Sequence, residues 1–338
     1  MNQNNKKLFK NTTLFFIGSI GSKLIQFLMV PLYTYTLSVG DYGTVDIIMT
    51  TLNFLAPIFS VQITDGLLRF GLDRNCNRSS VINVSLIVCF FGSISSLTLC
   101  PFILHFISLG EYIAFFLMIL ITKIFRDTLA ITLKIDDDNK KFALDSIIYT
   151  FALCAFSIVF LVWLKMGIRG YLLSYVIANI ISICYICVFS KRQLRVSLKE
   201  CDALLLKQIV IYSLPLVINS IAYWITTASD KYMINWILDN EAVGQYSIAA
   251  KIPTIISTLI GVFSSAWLIT SIDAFEEKEN YNYYFEVYQK FCMTFFVFAS
   301  MFILVTKPFM KYYVSSDFYH APDLKNFKSA GYKNIIFL

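Results

Sequence analysis

Hydrophobic residues along the chain are grouped in blocks of about 20, the length that an α-helix needs to cross the hydrocarbon core of a bilayer. These blocks predict nine helices, near residues 12–37, 44–70, 81–104, 112–134, 142–164, 170–190, 208–232, 242–271 and 286–307. The connections between them are short or polar, and none is long enough for a soluble domain. The pattern predicts an all-α integral membrane protein built as one helical bundle.

Composition supports lipid as the solvent of this bundle. Hydrophobic residues make up 57% of the 338 positions and charged residues only 15%, against about 25% charged in soluble domains. The eight cysteines are dispersed, several of them inside apolar blocks, and the Cys184–Cys187 pair has no second pair or histidine nearby. We therefore expect neither a disulfide framework nor a metal site, and no cofactor.

Basic residues at the ends of the predicted spans indicate the orientation. If the amino terminus is cytoplasmic, the cytoplasmic segments hold sixteen Lys and Arg residues. The opposite side then holds five, namely Lys165, Arg169, Lys231, Lys307 and Lys311. Because basic residues are retained on the cytoplasmic side, this asymmetry predicts that the amino terminus is inside.

The chain also resembles itself at an offset of 201 residues. Segment 37–43 then aligns with segment 238–244, and both are short outward loops closed by a glycine. Six spans separate the copies, so the two halves share one orientation, as in parallel-repeat transporters. We predict a first six-helix half at 1–190, a cytoplasmic basic connection at 191–207, a second half of three helices at 208–320 and a polar tail at 321–338.

A second half that matched the first would contain six helices, for a total of twelve. Position 321 should then correspond to Leu120, in the middle of a span, but residues 321–334 are too polar to cross a bilayer. This comparison predicts a truncated or frame-shifted product. The alternative is a protein with nine helices and a short exposed tail.

Cationic side chains inside the spans are the first candidates for function, because an ionisable group at mid-bilayer is costly unless it faces a wet cavity or a partner. Lys23, Lys123 and Lys251 lie about ten residues from the nearer helix end, near mid-depth. Gln26 shares a helix face with Lys23. With Arg69 and Arg126, these residues form a predicted substrate site that would attract a phosphate or pyrophosphate.

Two carboxylates, Asp65 and Asp230, are candidates for binding a coupling ion. Neutralising pairs are the alternative at two places, because Asp65 stands one turn before Arg69 and Lys123 stands one turn before Asp127. Arg69 and Arg126 are also near enough to the cytoplasmic ends of their helices to reach headgroups. The sequence contains no phosphate-binding loop, no HExxH and no nucleophile with a plausible base, so we expect a protein that is not an enzyme.

A family resemblance rests on the amino-terminal half. Segment 28–38, LMVPLYTYTLS, followed by Asp41-Tyr42-Gly43 and by LLRF at 67–70, resembles the start of Wzx-type polysaccharide flippases. These belong to the multidrug/oligosaccharidyl-lipid/polysaccharide (MOP) exporter superfamily, together with the MATE antiporters. The resemblance extends from residue 6 to about 320 and implies a MATE-like bundle of two parallel-repeat halves.

The resemblance further implies translocation of undecaprenyl-pyrophosphate-linked oligosaccharide across the bacterial inner membrane for O-antigen or capsule assembly. It implies membrane lipids, a polysaccharide polymerase and a chain-length regulator as partners, and no nucleic acid. Two alternatives stay open at this point. One is a cation-coupled multidrug antiporter, which would favour cavity carboxylates over lysines, and the other is an inactive membrane fragment.

Overall fold

The computed structural model describes residues 25–73, 76–106, 109–190, 202–251, 253–254, 256–258, 260–261 and 281–319. Every regular element in these ranges is helical. The first seven helices are α1 (Val30–Thr36), α2 (Val39–Phe59), α3 (Ile63–Leu72), α4 (Arg78–Phe106), α5 (Ile113–Ile135), α6 (Asn139–Ile158) and α7 (Gly167–Phe189). The remaining four are α8 (Ala203–Ile237), α9 (Asn240–Ala249), α10 (Tyr281–Tyr313) and α11 (Ser316–Tyr319).

The described helices follow the predicted windows closely enough to confirm an all-α membrane protein. Six of them are long and apolar enough to cross a bilayer: Val39–Phe59, Arg78–His105, Asn139–Trp163, Gly167–Phe189, Ala203–Ile237 and Phe285–Thr306. Helix α5 fills the window at 112–134 but carries the charges of Lys123, Arg126 and Asp127. The first half of the first window (12–24), which includes Lys23, lies outside the described residues, as do segment 191–201 and the tail beyond 319.

The second predicted span, 44–70, was wrong as a single helix. Helix α2 ends at Phe59 and α3 begins at Ile63. Between them Val61 and Gln62 adopt positive φ angles of 53° and 48°, which are unusual for non-glycine residues. Pro57 contributes to the break, because it has no N–H to donate and its carbonyl accepts a hydrogen bond from Gln62 N at 2.8 Å.

The seventh predicted span, 208–232, is longer at both ends than the sequence indicated. Helix α8 begins at Ala203, where the Asp202 carboxylate accepts hydrogen bonds from the Leu204 and Leu205 amides at 2.9 and 3.1 Å. It continues to Ile237. The predicted basic connection at 191–207 is therefore shorter than expected, because its last residues are helical.

Helices α2 and α9 cross at very short range, and the crossing joins the two segments that align at an offset of 201. Ser38 caps α2 and Asp239 caps α9, each through its side-chain oxygen. A Cβ on Gly43 would overlap the Asn240 carbonyl, and one on Gly244 would overlap the Val39 carbonyl. At the offset of 201, Gly43 corresponds to Gly244 and Asn240 corresponds to Val39, so the two contacts are equivalent. Such equivalence is expected at a two-fold axis between repeats.

We use the term seam for the contact surface between helices α1–α7 and helices α8–α11. Helix α8 runs along it, because Trp224 Nε1 donates to the Thr50 carbonyl at 3.1 Å and the Tyr212 ring packs against Phe70 on α3. Helix α10 closes it near α1, where the rings of Phe27 and Tyr313 stack at 4.6 Å. We call the end of the bundle that carries the 37–39 and 238–240 connections the loop end.

Candidate functional site

The seam contains a cluster of three charged residues and one serine, which we call the seam cluster: Asp46, Lys231, Ser247 and Lys251. Lys231 Nζ lies 2.6 Å from Asp46 Oδ2, and Ser247 Oγ donates to the same oxygen at 2.8 Å. The Lys251 ammonium interacts electrostatically with both Asp46 and Lys231. The Asp46 carboxylate therefore pairs directly with Lys231, and its link to Lys251 is an electrostatic attraction without an ion-pair contact in the described part of the chain.

The seam cluster lies where helices from both sides of the seam meet. Asp46 comes from α2, Lys231 from α8 and Ser247 from α9. The side chains of Asp46 and Lys231 are only 13% and 19% exposed, so water screens their interaction weakly. A site with this location and a surplus positive charge would attract an anion and would change when the two sides of the seam separate.

Asp230, a predicted ligand of the coupling ion, stands beside this cluster on α8. Its carboxylate accepts a hydrogen bond from the Tyr246 hydroxyl of α9. The neighbouring Tyr232 hydroxyl pairs with Thr51 of α2 across the seam. The carboxylate is therefore held at the junction of α8 and α9.

A second charged group, the lobe network, lies between α5, α6 and α7. Arg126 Nη2 pairs with Asp145 Oδ2 at 3.0 Å, and Arg126 Nη1 pairs with Asp127 Oδ1 at 3.2 Å. Lys123 Nζ pairs with Asp127 Oδ2 at 2.9 Å. Ser182 donates to Asp145, whose side chain is fully buried.

The lobe network is balanced in charge, with two cations and two carboxylates. The predicted alternative for Lys123, pairing with Asp127 one turn on, is the arrangement observed. Arg126 also lies over the Tyr149 ring at 4.3 Å. These two cations consequently offer an anion less net charge than the sequence suggested, although Lys123 and Asp127 do line a cavity of about 200 Å³ next to the α2–α3 break.

The other predicted site residues are separated from both groups. Arg69 is exposed on α3, with its guanidinium 5.0 Å from the centroid of the Tyr212 ring. Asp65 accepts a hydrogen bond from Gln62 at 3.0 Å. In the described part of the chain no ion pair joins Asp65 to Arg69, so the predicted pair is wrong. Gln26 is exposed near the start of the described chain, and Lys23 lies outside it.

A cavity of about 560 Å³ opens at the loop end of the seam. We call it the mouth cavity. It is bounded on one side by α2, the 3-10 turn Gly110–Tyr112 and the start of α7, and on the other by the end of α8 and the start of α9. Both sides of the seam therefore contribute to its wall.

Sequence reasoning missed two of the residues that complete these groups. Asp145 stands three residues into the predicted window at 142–164, a position at which a carboxylate can reach headgroups. Lys231 was counted among the basic residues outside the membrane. Each has its partner on a helix far away in sequence, and single-span polarity does not show such pairs.

The chain is similar in sequence to a family described as polysaccharide biosynthesis protein, whose model matches residues 8–269. No curated protein matches it. The match includes α1 to α9 and therefore both charged groups and the mouth cavity.

Solved transporters share the fold. The inward-facing conformation of a multidrug resistance MATE family transporter of the MOP superfamily has a TM-score of 0.64 at 14% identity, covering 86% of this chain and 69% of that chain. An outward-facing conformation of such a transporter has a TM-score of 0.60 at 15% identity, covering 96% and 75%. A MATE in complex with Br-NRF has a TM-score of 0.57 at 16% identity, covering 78% and 67%.

Proposed function

Because the chain belongs to the polysaccharide biosynthesis protein family and has a MATE-like transporter fold, we propose that it is a lipid-linked oligosaccharide flippase. Its substrate would be undecaprenyl-pyrophosphate-linked oligosaccharide, moved from the cytoplasmic to the outer leaflet of the bacterial inner membrane. The product would feed O-antigen or capsule assembly. The family match carries this proposal, and the seam cluster supports it.

The seam cluster supplies charge of the sign that a pyrophosphate needs. It contains two lysines and one carboxylate, and the side chains of the Asp46–Lys231 pair are poorly hydrated. An arriving pyrophosphate would compete with Asp46 for Lys231, with its oxygens replacing the carboxylate in that contact, and would also attract Lys251. The internal pair thus keeps Lys231 from being unpaired when no substrate is bound.

The position of the cluster is consistent with alternating access, which we propose as the transport mechanism. Its members come from both sides of the seam, so a rocking motion that separates the sides also separates Asp46 from Lys231 and Ser247. Asp230 is then the better of the two proposed coupling-ion ligands. It is adjacent to Lys231 in sequence and contacts α9 through Tyr246, whereas Asp65 is exposed on α3.

Complementation of a flippase-null strain tests the proposal. The wild-type protein should restore surface glycan. Lys251→Ala should abolish that restoration without lowering the amount of protein in the membrane. Lys251→Arg should retain part of it, because it keeps the charge. Lys290→Ala is the matched control, since Lys290 is exposed and pairs with Glu286 on its own helix. Drug resistance without surface glycan would instead identify a multidrug antiporter.

A charge exchange tests whether Asp46 and Lys231 act as a pair. Asp46→Lys and Lys231→Asp should each impair glycan export, because each places like charges together across the seam. The double variant recreates the pair in reverse and should recover export to within about tenfold of the wild type. If the double variant is no better than the worse single one, the pair has no role as an internal counterion.

A further inference from the structure

We propose that the mouth cavity is a saccharide-binding site, which receives the sugar portion of the substrate at the loop end of the seam. This inference rests on the proposed function for the identity of the transported molecule. It rests on the cavity itself for the chemistry of binding. Its volume of about 560 Å³ lies within the range of about 300–1,000 Å³ that is usual for small-molecule sites.

The polar part of the lining matches a ligand that is dense in hydroxyl groups. Asp41, Thr44, Asn235 and Asn240 face the cavity. Carboxylate, hydroxyl and amide groups together offer both hydrogen-bond acceptors and donors, as adjacent sugar hydroxyls require. Asn235 donates to Asn240 Oδ1 at 2.6 Å, a contact between the end of α8 and the start of α9 that orients both amides.

The aromatic part of the lining matches the other face of a sugar ring, which presents C–H groups. Tyr112, Tyr232 and Trp236 contribute rings from both sides of the seam. Trp236 is 91% exposed, so its indole is available to a ligand. Rings of this kind combine a large apolar face with a polar edge, and they bury much area at a low cost in side-chain entropy.

Charge separates this site from the seam cluster. In the described part of the chain, the lining of the mouth cavity includes Asp41 but no Lys or Arg side chain. A pyrophosphate would be repelled here, and a lipid tail would desolvate four polar side chains. The pyrophosphate and the sugar would thus be held at different places, which are adjacent because Tyr232 of the cavity wall follows Lys231 of the cluster on α8.

An amphipathic cation is the competing ligand, because aromatic rings beside a carboxylate also suit cations. The two ligands differ in what they need from Asp41. A saccharide needs a hydrogen-bonding group there and should tolerate Asp41→Asn, whereas a cation needs the negative charge. The proposal commits to the saccharide because two amides and a threonine hydroxyl accompany the single carboxylate.

Binding to the purified full-length protein in lipid nanodiscs tests the site. The probe is the oligosaccharide pool released by mild acid from the polyisoprenyl-pyrophosphate lipids of the host cell, which carries neither lipid nor pyrophosphate. We expect calorimetry to detect binding of the pool to the wild type. Trp236→Ala should bind the pool with an affinity reduced at least about tenfold. Asp41→Asn should bind the pool within about threefold of the wild type.

Trp163→Ala is the matched control. Trp163 is 75% exposed and precedes the turn into α7 at the loop end, but it does not line the cavity. If both tryptophans merely anchor the protein at the membrane interface, the two variants will behave alike. Equal saccharide affinity in Trp236→Ala and Trp163→Ala, or no binding to the wild type, would overturn the proposal. Melting temperatures confirm that each variant is folded.

Tetraphenylphosphonium serves as the cation probe. If it binds the wild type and loses binding in Asp41→Asn while the saccharide pool does not bind, the cavity is a cation site and the proposal fails. Complementation separates this failure from failure of the proposed function. If surface glycan is restored but the purified protein does not bind the saccharide pool, only the assignment of the mouth cavity is refuted. If the protein binds the pool in a Trp236-dependent way but does not restore surface glycan, only the proposed transport function is refuted.

Discussion

Asp145 shows how a single buried carboxylate can organise a whole group of helices. It is fully buried, accepts a hydrogen bond from Ser182 of α7 and pairs with Arg126 of α5. Its own helix is α6, so one side chain ties three helices together. The contacts are of the kind whose loss leaves a charge unpaired in a poorly hydrated interior.

Removing one partner of the Arg126–Asp145 pair should therefore destabilise the protein more than removing both. We expect Asp145→Ala to lower the free energy of unfolding by about 3 kcal/mol, because buried Arg126 then keeps only Asp127, which Lys123 shares, as a counterion. The double variant Arg126→Met with Asp145→Leu should recover most of that loss, since apolar residues of similar size often replace buried pairs well. Thermal unfolding of the purified protein in detergent measures both.

The same pair of variants also separates structure from function at Arg126. If Arg126 serves only to balance Asp145, the stabilised double variant should export glycan like the wild type. If it binds substrate, as the sequence predicted, the double variant should be folded but inactive. A double variant as unstable as Asp145→Ala would show that the ion pair itself, rather than the filled space, stabilises the three helices.

At the scale of elements, the α2–α9 crossing depends on having no side chain at two positions. A Cβ on Gly43 would lie 2.8 Å from the Gly244 amide nitrogen and would overlap the Asn240 carbonyl. Backbones that approach this closely gain van der Waals and Cα–H···O contacts. Such contacts drive helix association in a bilayer, because an apolar side chain is as stable against lipid as against another helix.

Gly43→Ala and Gly244→Ala should each push the two helices apart and destabilise the protein by about 2 kcal/mol. Gly40→Ala, on the same helix, is the control. Its added Cβ would meet only the Glu241 side chain at 3.5 Å, an ordinary contact, and alanine is the better helix former. Melting temperatures of the three variants test this, and equal values would show that the crossing is looser than the structure indicates.

The elements also show what the sequence could and could not predict. Hydropathy located the helices, and the loop glycines at 43 and 244 aligned the two segments that form the crossing. The α2–α3 break was missed because neither Val61 nor Gln62 is a residue that favours positive φ, leaving Pro57 as the one local signal. Site pairs such as Asp46 with Lys231 were missed because they join distant helices, which periodicity within one span does not show.

At the scale of the whole molecule, contacts between the α10–α11 region and helices α1 and α2 join the two sides of the seam at the loop end. The Ser315 amide donates to Thr34 Oγ1 at 3.4 Å, and the rings of Tyr42 and Phe318 meet edge to face at 5.7 Å. With the α2–α9 crossing, these contacts join the two sides of the seam at one end of the bundle. Under the proposed mechanism, they must separate in every transport cycle, because the substrate otherwise cannot pass between the two sides of the seam.

A reversible crosslink across these contacts should therefore stop transport. We expect a disulfide between Thr34→Cys and Ser315→Cys, in a background without the eight native cysteines, to abolish glycan export and a reductant to restore it. The control pair is Ser157→Cys with Ser174→Cys, whose hydroxyls lie 3.0 Å apart between α6 and α7 on one side of the seam. That crosslink should leave export unchanged, because α6 and α7 belong to the same side of the seam and would move together in the proposed rocking motion. Export that continues with residues 34 and 315 crosslinked would mean that the loop end stays closed during transport and that the substrate leaves by another route.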